Sequence, residues 1–177
     1  MGAEQSSPVA RLRAAAAEQG APAPSRPVEA WNPPLCGHSG MRIEASGRWL
    51  HDGRPIARSE LVRLFASILR REPDGSFVLV TPGEKLTIDV EDAPFVAVEM
   101  AAEGRGDGQR LAFRLNTGEV VIAGPDHPLR LRDGRPYLAV RGGLEARIDR
   151  AVWVELAELA LAGGGVVRSD GAQFRLG

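Results

Sequence analysis

Two polar segments of the sequence contain groups of charged side chains that are candidates for ligand binding. The first, TPGEKLTIDVEDAPF, places Glu84 and Lys85 just after a Pro-Gly turn, and Glu91 and Asp92 at the far end of a strand-like run. Because a strand rises about 3.3 Å per residue, roughly 20 Å separates Lys85 from Glu91, which excludes a catalytic dyad on this strand alone. The segment predicts either part of a ligand site or solvated turn residues, with Asp92 accepting backbone hydrogen bonds beside Pro94.

The second segment, HPLRLRDGRPYLAVRGGLEARIDR, is rich in arginine. Guanidinium groups bind phosphate and carboxylate through paired hydrogen bonds, and strand alternation places Arg130 and Arg132 on one face. We interpret RGGLEARIDR as the start of a helix, whose free amides could hold an anion together with Arg141 and Arg147. The alternative is an ion-pair surface, in which Glu145 and neighbouring acidic residues neutralise the arginines at helical spacing.

The remaining reactive side chains form no pattern that is typical of a catalytic or metal site. Cys36 and His38 make a C-x-H pair, but structural zinc normally has four protein ligands, and His51 and His127 lie far away in the sequence. The serines lack the context of a nucleophile elbow. We therefore expect no metal site, no cofactor and no catalytic residue. An enzyme stays the third hypothesis, and it would require Glu84, Lys85 and Asp92 to converge with an arginine in a closed pocket.

Composition restricts the partners and the compartment. The 22 basic and 23 acidic side chains leave a formal charge of -1, so no net field favours non-specific binding of nucleic acid or anionic lipid. A single cysteine, Cys36, excludes an intramolecular disulfide. The sequence shows neither an apolar stretch of about 18 residues nor the order of segments found in a secretion signal. We expect a cytoplasmic protein without nucleic-acid or membrane partners.

The elements that would position these side chains begin after an Ala- and Pro-rich segment. Residues 1–33 predict a flexible tail, because RLRAAAAEQG lacks a regular apolar face to pack and APAPSRP favours extended backbone. Beyond the tail, we expect a first α+β repeat over residues 34–91 and a second over residues 92–177.

The evidence for a repeat is a phrase that occurs twice, LHDGRP and LRDGRP, with its Asp-Gly pairs at Asp52 and Asp133. Asp-Gly favours a tight hairpin turn. After each copy comes a helical pattern, ARSELVRLFASILRRE or LEARIDRAVWVELAELALAGGG, and then a further strand. This order predicts an α+β fold made of two pseudo-repeats of hairpin, helix and strand, with mainly antiparallel sheets.

Four blocks of the sequence together carry a resemblance to a known family. They are PIARSELVRLFASILRRE, LVTPGEKLTIDVEDAPFVAVE, LNTGEVV with the following HPLR, and PYLAVRGGLEARIDRAVWVEL. In this order, from about Leu35 to about Leu161, they resemble an uncharacterised bacterial family of conserved proteins of unknown function. The resemblance implies an α+β fold with repeated structural motifs, no established activity and a suggested role in signal transduction. It supplies no catalytic residues.

The first functional hypothesis is a non-enzymatic regulatory or ligand-binding module, acting in bacterial signal transduction, with a small anion or a peptide in the cleft between the repeats. The motivation is the duplication, together with clustered cationic side chains and no catalytic set. The candidate ligand-binding residues are Glu84, Lys85, Asp92, Arg130, Arg141 and Arg147.

The second hypothesis is a protein-interaction adaptor that uses the C-terminal helix. Val152, Leu156 and Leu159 are expected to face the core. Trp153, Ala157 and Ala160 are then left for a partner protein or a second copy of the chain. The two hypotheses place function at different sites, so the fold decides which residues come together.

Overall fold

The computed structural model describes residues 7–177, which form two six-stranded sheets, a C-terminal hairpin and three α-helices. The first half contains α1 (Pro8–Glu18), β1 (Leu35–Ile43), β2 (Trp49–His51), β3 (Arg54–Pro55), α2 (Ser59–Ser67), β4 (Leu69–Arg71), β5 (Phe77–Val80) and β6 (Lys85–Val90). The second half contains β7 (Phe95–Glu103), β8 (Arg110–Leu115), β9 (Val120–Ile122), β10 (Leu129–Arg132), β11 (Arg135–Arg141), β12 (Leu144–Ile148), α3 (Arg150–Ala162), β13 (Val166–Ser169) and β14 (Ala172–Arg175).

Both large sheets are built from two antiparallel meanders of three strands each. In the first sheet the meanders are β1-β2-β3 and β4-β5-β6, and they meet where β1 pairs with β6 in parallel. In the second sheet β7-β8-β9 and β10-β11-β12 have the same arrangement, and β7 pairs with β12 in parallel. The structure thus confirms an α+β fold with two repeated units and mainly antiparallel sheets.

The two DGRP turns occupy different steps of this repeat. Asp52 lies between β2 and β3, whereas Asp133 lies between β10 and β11, which correspond to β4 and β5 in the first sheet. Both aspartates have positive φ, 48° and 51°, and each precedes a glycine of positive φ, as a two-residue hairpin turn requires. The shared phrase therefore reflects shared turn chemistry, and strand order is what aligns the two repeats.

The predicted C-terminal helix is shorter than its sequence pattern. Residues Leu144–Ile148 form β12, which pairs with β11 on one side and with β7 on the other, and α3 begins at Arg150. Gly142 and Gly143 make the turn between β11 and β12, with φ of 52° and 78°. The interpretation of RGGLEARIDR as the start of a helix is wrong, because sheet pairing overrides the helix propensity of this segment.

One hydrophobic core joins the two halves. Trp49 of the first half belongs to the same buried cluster as Phe95 and Phe113 of the second half. Val152 and Leu156 of α3 complete it, and all five side chains are at most 2 % exposed. Because the halves share buried apolar surface, their stabilities depend on each other.

Part of the predicted flexible tail is folded. In α1, Ser7 Oγ accepts a hydrogen bond from the Ala10 amide at 3.1 Å, and Val9, Leu12 and Ala16 are each 4 % exposed. Val9 and Leu12 pack on a patch of the second sheet formed by Ala101, Ala112, Val120 and Ile122. Two buried apolar side chains on one narrow face therefore dock this helix on the sheet. Residues 1–6 of the predicted tail lie outside the described residues.

Candidate functional site

A cavity of about 330 Å³ lies between the two halves. Its walls come from α2 and β4 of the first half, from the β8–β9 and β11–β12 turns of the second half, and from residues 22–29. A volume of this size is that of a small-molecule site. The cavity therefore lies in the predicted cleft, but the segment predicted as a flexible tail supplies one of its walls.

Arg141 is the one predicted site residue that lines this cavity. Its Nη1 donates to Glu119 Oε1 at 2.6 Å and its Nη2 donates to the carbonyl of Ala66 at 3.0 Å. The guanidinium carbon also lies 5.1 Å from the centroid of the Phe95 ring, within the range of a cation–π contact. These contacts fix the guanidinium of the second half against α2 of the first half.

Arg70 also lines the cavity, but its guanidinium is fully engaged elsewhere. Its side chain is 8 % exposed and forms an ion pair with Glu72 at 2.7 Å. Nη1 donates to the carbonyls of Val28 and Trp31, each at 2.7 Å. Arg70 therefore holds the N-terminal segment in place and is not free to bind a ligand.

Unpaired charge in the cavity wall comes from Arg26, Arg63 and Glu29, none of which forms an ion pair with another residue in the described part of the chain. Two guanidinium groups against one carboxylate leave an excess of positive charge. Prolines, alanines and leucines supply much of the remaining surface. This combination favours a small anion that carries an apolar body.

Asp92 and Arg147 lie together at a second place, an open groove that also contains Trp153 at the start of α3. Asp92 Oδ1 accepts a hydrogen bond from Tyr137 Oη at 2.7 Å. Arg147 donates through Nε to the Ala45 carbonyl at 3.2 Å. Both charged groups therefore support the junction between the halves, and they lie apart from the Arg141 cavity.

The other three predicted site residues converge on neither place. Glu84 is exposed, and its amide donates to Thr81 Oγ1 at 3.2 Å in the turn before β6. Lys85 Nζ is 3.8 Å from Glu72 Oε1. Arg130 is exposed on β10 and makes no ion pair with any residue from 7 to 177. The six predicted residues are thus distributed over several surfaces and do not line one site.

Glu119 and Arg63, which complete the cavity, were not predicted from the sequence. Glu119 accepts the hydrogen bond of Arg141 from the turn between β8 and β9, far from Arg141 in the sequence. Arg63 lies on α2, where an arginine is the ordinary residue of an exposed helix face. The helix-forming run RLRAAAAEQG was the one indication in the sequence, because docking of α1 brings residues 22–29 to the wall of the cavity.

Comparison with known families gives two adjoining matches. The family model for the N-terminal domain of DUF1285, a domain of unknown function, matches residues 26–93. The model for the C-terminal domain of DUF1285, a protein of unknown function, matches residues 94–176. Together they cover most of the chain. The chain belongs to the DUF1285 family. The resemblance stated from the four sequence blocks is confirmed.

Two solved structures of DUF1285 family proteins are similar to this chain. A protein from Silicibacter pomeroyi DSS-3 has 42% sequence identity and a TM-score of 0.81, with 93% of each chain covered. A protein from Shewanella baltica OS155 has 27% identity and a TM-score of 0.56, covering 68% of this chain and 91% of that one. No curated protein matches the sequence.

Two further features concern metal binding and membrane insertion of this DUF1285 chain. Among residues 7–177, no three His, Cys, Asp or Glu side chains come together as ligands of a metal ion. In the same range no helix combines the length and the apolar character needed to cross a membrane.

Tyr137, the only tyrosine of the chain, offers a test of the Asp92 environment. Burial raises its pKa above the ordinary value of 10.0, the hydrogen bond to Asp92 adds to this rise, and Arg132 opposes it. Because the folded state holds the phenol proton more tightly, the group stabilises the fold below pH about 10, and this stabilisation is lost as the pH rises through the folded-state pKa.

We predict that an ultraviolet titration of the phenolate will give a midpoint above that of free tyrosine. Asp92→Asn removes the carboxylate charge and is expected to lower this midpoint, whereas the matched control Asp126→Asn, at an exposed position, leaves it unchanged. An ordinary midpoint in the folded protein would contradict the buried Tyr137–Asp92 pair.

Proposed function

We propose that this DUF1285 protein is a non-enzymatic regulatory module that binds a small organic anion in the cavity between its halves. The observation that carries the proposal is the position of Arg141, whose guanidinium is held by Glu119, Ala66 and Phe95 at the wall of the cavity. A charged group fixed by both halves can respond to a ligand by changing how the halves are held together. A role in bacterial signal transduction would follow from such coupling.

The electrostatics of the wall support an anion as the ligand. Arg63 and Arg26 form no ion pair with a described residue and outnumber the unpaired Glu29 carboxylate of the same wall. Charge-assisted hydrogen bonds to carboxylate or phosphate are stronger than neutral ones. The volume of about 330 Å³ suits a metabolite better than a peptide. A carboxylate or phosphate ester with an apolar portion fits both properties.

The contacts of the three histidines support a non-enzymatic role. His38 Nε2 lies 3.4 Å from Asp89 Oδ1, and His51 Nε2 lies 3.6 Å from Asp52 Oδ2. His127 Nδ1 lies 3.2 Å from the Ala139 carbonyl. None of these contacts, all on described residues, joins a histidine to a serine or cysteine that it could activate as a nucleophile.

A thermal-shift screen of the full chain against small carboxylates and phosphate esters tests the proposal. A ligand at about 100 times its dissociation constant adds about 2.7 kcal/mol to the stability of the folded state, which raises the midpoint by about 5–10 °C in a chain of this size. For any hit, Arg141→Ala is expected to weaken binding about 10- to 100-fold, because a charge-assisted hydrogen bond contributes about 1.5–3 kcal/mol. Arg130→Ala, which removes an arginine remote from the cavity, is the matched control.

Equal weakening by Arg130→Ala and Arg141→Ala would contradict a site in the cavity. If no anion in the panel shifts the midpoint, the adaptor hypothesis gains, since Val154 and Leu161 of α3 are 53 % and 80 % exposed. The expected adaptor face needs one correction: Ala160 is buried, at 3 % exposed, and Trp153 is half-buried. Self-association in sedimentation at rising concentration would then be the supporting result.

A further inference from the structure

The wall formed by residues 22–29 closes one side of the cavity, and its two ends are held by very different contacts. At the C-terminal end, the buried Arg70 guanidinium donates short hydrogen bonds to the carbonyls of Val28 and Trp31. Such charge-assisted bonds are strong, and removing them would leave a buried charge with fewer partners. This end is therefore expected to stay attached.

The N-terminal end is held by α1, whose Val9 and Leu12 pack on the second sheet, and by Gln19, whose side-chain oxygen accepts a hydrogen bond from Arg114 Nη1 at 2.9 Å. A helix of this length has little stability by itself in water, so it stays helical because of the surface it covers. Segments with few buried apolar contacts open at lower free energy than the core of a sheet. Release of α1 is consequently the easier way to open the cavity.

Arg63 connects this weaker end to the cavity. Its Nη1 donates to the carbonyl of Gln19 at 3.4 Å, a long hydrogen bond, while its side chain also lines the cavity. Gly20, with φ of 106°, lies directly against the same guanidinium, and a Cβ there would be 2.8 Å from Arg63 Nη2. An anion in the cavity would accept from the group that now binds the Gln19 carbonyl.

We infer that residues 8–27, the cover segment, form a ligand-responsive cover that opens at its α1 end, with Arg63 shared between the cover and the bound anion. The backbone between the two attached ends is restricted by Pro22, Pro24 and Pro27. The cover is therefore expected to rotate as a semi-rigid segment about Val28, where Arg70 holds it. The family match begins at residue 26, so α1 and most of the cover lie outside the conserved domain. This inference rests on the proposed anion site and adds its regulation.

The test uses the full chain and the fluorescent probe 8-anilinonaphthalene-1-sulfonate, an anion with an apolar body. Stopped-flow fluorescence gives its association and dissociation rate constants. Leu12→Glu places a charge in the buried contact between α1 and the second sheet. It is expected to raise both rate constants about tenfold or more, because the open conformation becomes the predominant one. Leu161→Glu makes the same chemical change at an exposed position of α3 and is expected to alter neither.

Hydrogen exchange followed by mass spectrometry separates failure of the cover from failure of the site. In the unchanged protein, amides of residues 9–18 are expected to exchange together and faster than those of β7 and β8, and Leu12→Glu should remove protection from the cover segment alone. The proposed cover is contradicted if the amides of residues 9–18 exchange no faster than those of the sheet. It is also contradicted if Leu12→Glu releases α1 without changing the association and dissociation rate constants of the probe. If Arg141→Ala leaves the affinity for the probe unchanged, the proposed anion site in the cavity is contradicted, whatever the hydrogen exchange shows.

Discussion

Replacement of Arg70 by alanine is expected to lower the free energy of unfolding by about 3–5 kcal/mol, the usual cost of breaking a buried ion pair on one side. The Arg70 side chain is 8 % exposed and that of Glu72 is 19 % exposed. Loss of the guanidinium leaves the Glu72 carboxylate with Lys85 at 3.8 Å as its remaining cation. The carbonyls of Val28 and Trp31 lose their donor in the same step. Urea denaturation monitored by circular dichroism measures the change.

The neighbouring Arg71 gives a matched control. Its Nη1 donates to the Gly143 carbonyl at 3.2 Å, and the side chain is exposed on β4. Arg71→Ala is therefore expected to cost less than about 1 kcal/mol. Equal effects of the two substitutions would mean that Arg70 does not anchor the N-terminal segment, and the attachment proposed for the cover would fail with it.

The turns were predictable because their chemistry is local. Asp52 and Asp133 each precede a glycine, and the positive φ of both turn residues is a conformation that Asp-Gly adopts at low cost. The equivalence of the two turns was not local. The repeated phrase predicts that the two turns occupy equivalent positions, whereas their actual places in the strand order depend on which meanders pair in each sheet.

The segment LEARI shows how propensity can hide a correct signal. Leu144, Ala146 and Ile148 are buried, and the intervening Glu145 and Arg147 are not, which is the alternation of a strand. All these residue types except isoleucine are good helix formers, so the pattern was interpreted as the beginning of α3. Pairing with β11 and β7 decides the outcome, and β7 lies about 40 residues earlier in the chain.

The candidate site was only partly predictable for a related reason. Arg141 and Arg147 are close in sequence, but Arg147 lies on the returning strand β12, about 10 Å beyond the turn by strand rise. One lines the cavity and the other lines the groove at α3. Residue type thus predicted Arg141, which lines the cavity, while its partner Glu119 and its neighbour Arg63 come from a turn and a helix that only the fold brings together.

Truncation of Phe113 to alanine is expected to cost about 3–5 kcal/mol, because Phe113 is fully buried at 0 % exposed and the cavity left behind cannot collapse completely. The half-buried Phe77 at the edge of the core is the matched control, and Phe77→Ala should cost distinctly less. Since Phe113 lies in the second half and shares its core with Trp49 of the first, both halves should lose stability together.

Hydrogen exchange of peptides from each half, measured across a urea series, distinguishes shared from separate unfolding. In a shared core, peptides from β1 and from β8 exchange in the same cooperative step, and Phe113→Ala moves both to lower urea concentration by the same amount. A first half that keeps its protection after the second half has unfolded would mean that the cavity lies between independent domains. The guanidinium of Arg141 would then be an interdomain contact that opens without loss of the fold, and ligand binding would regulate domain separation instead of the cover.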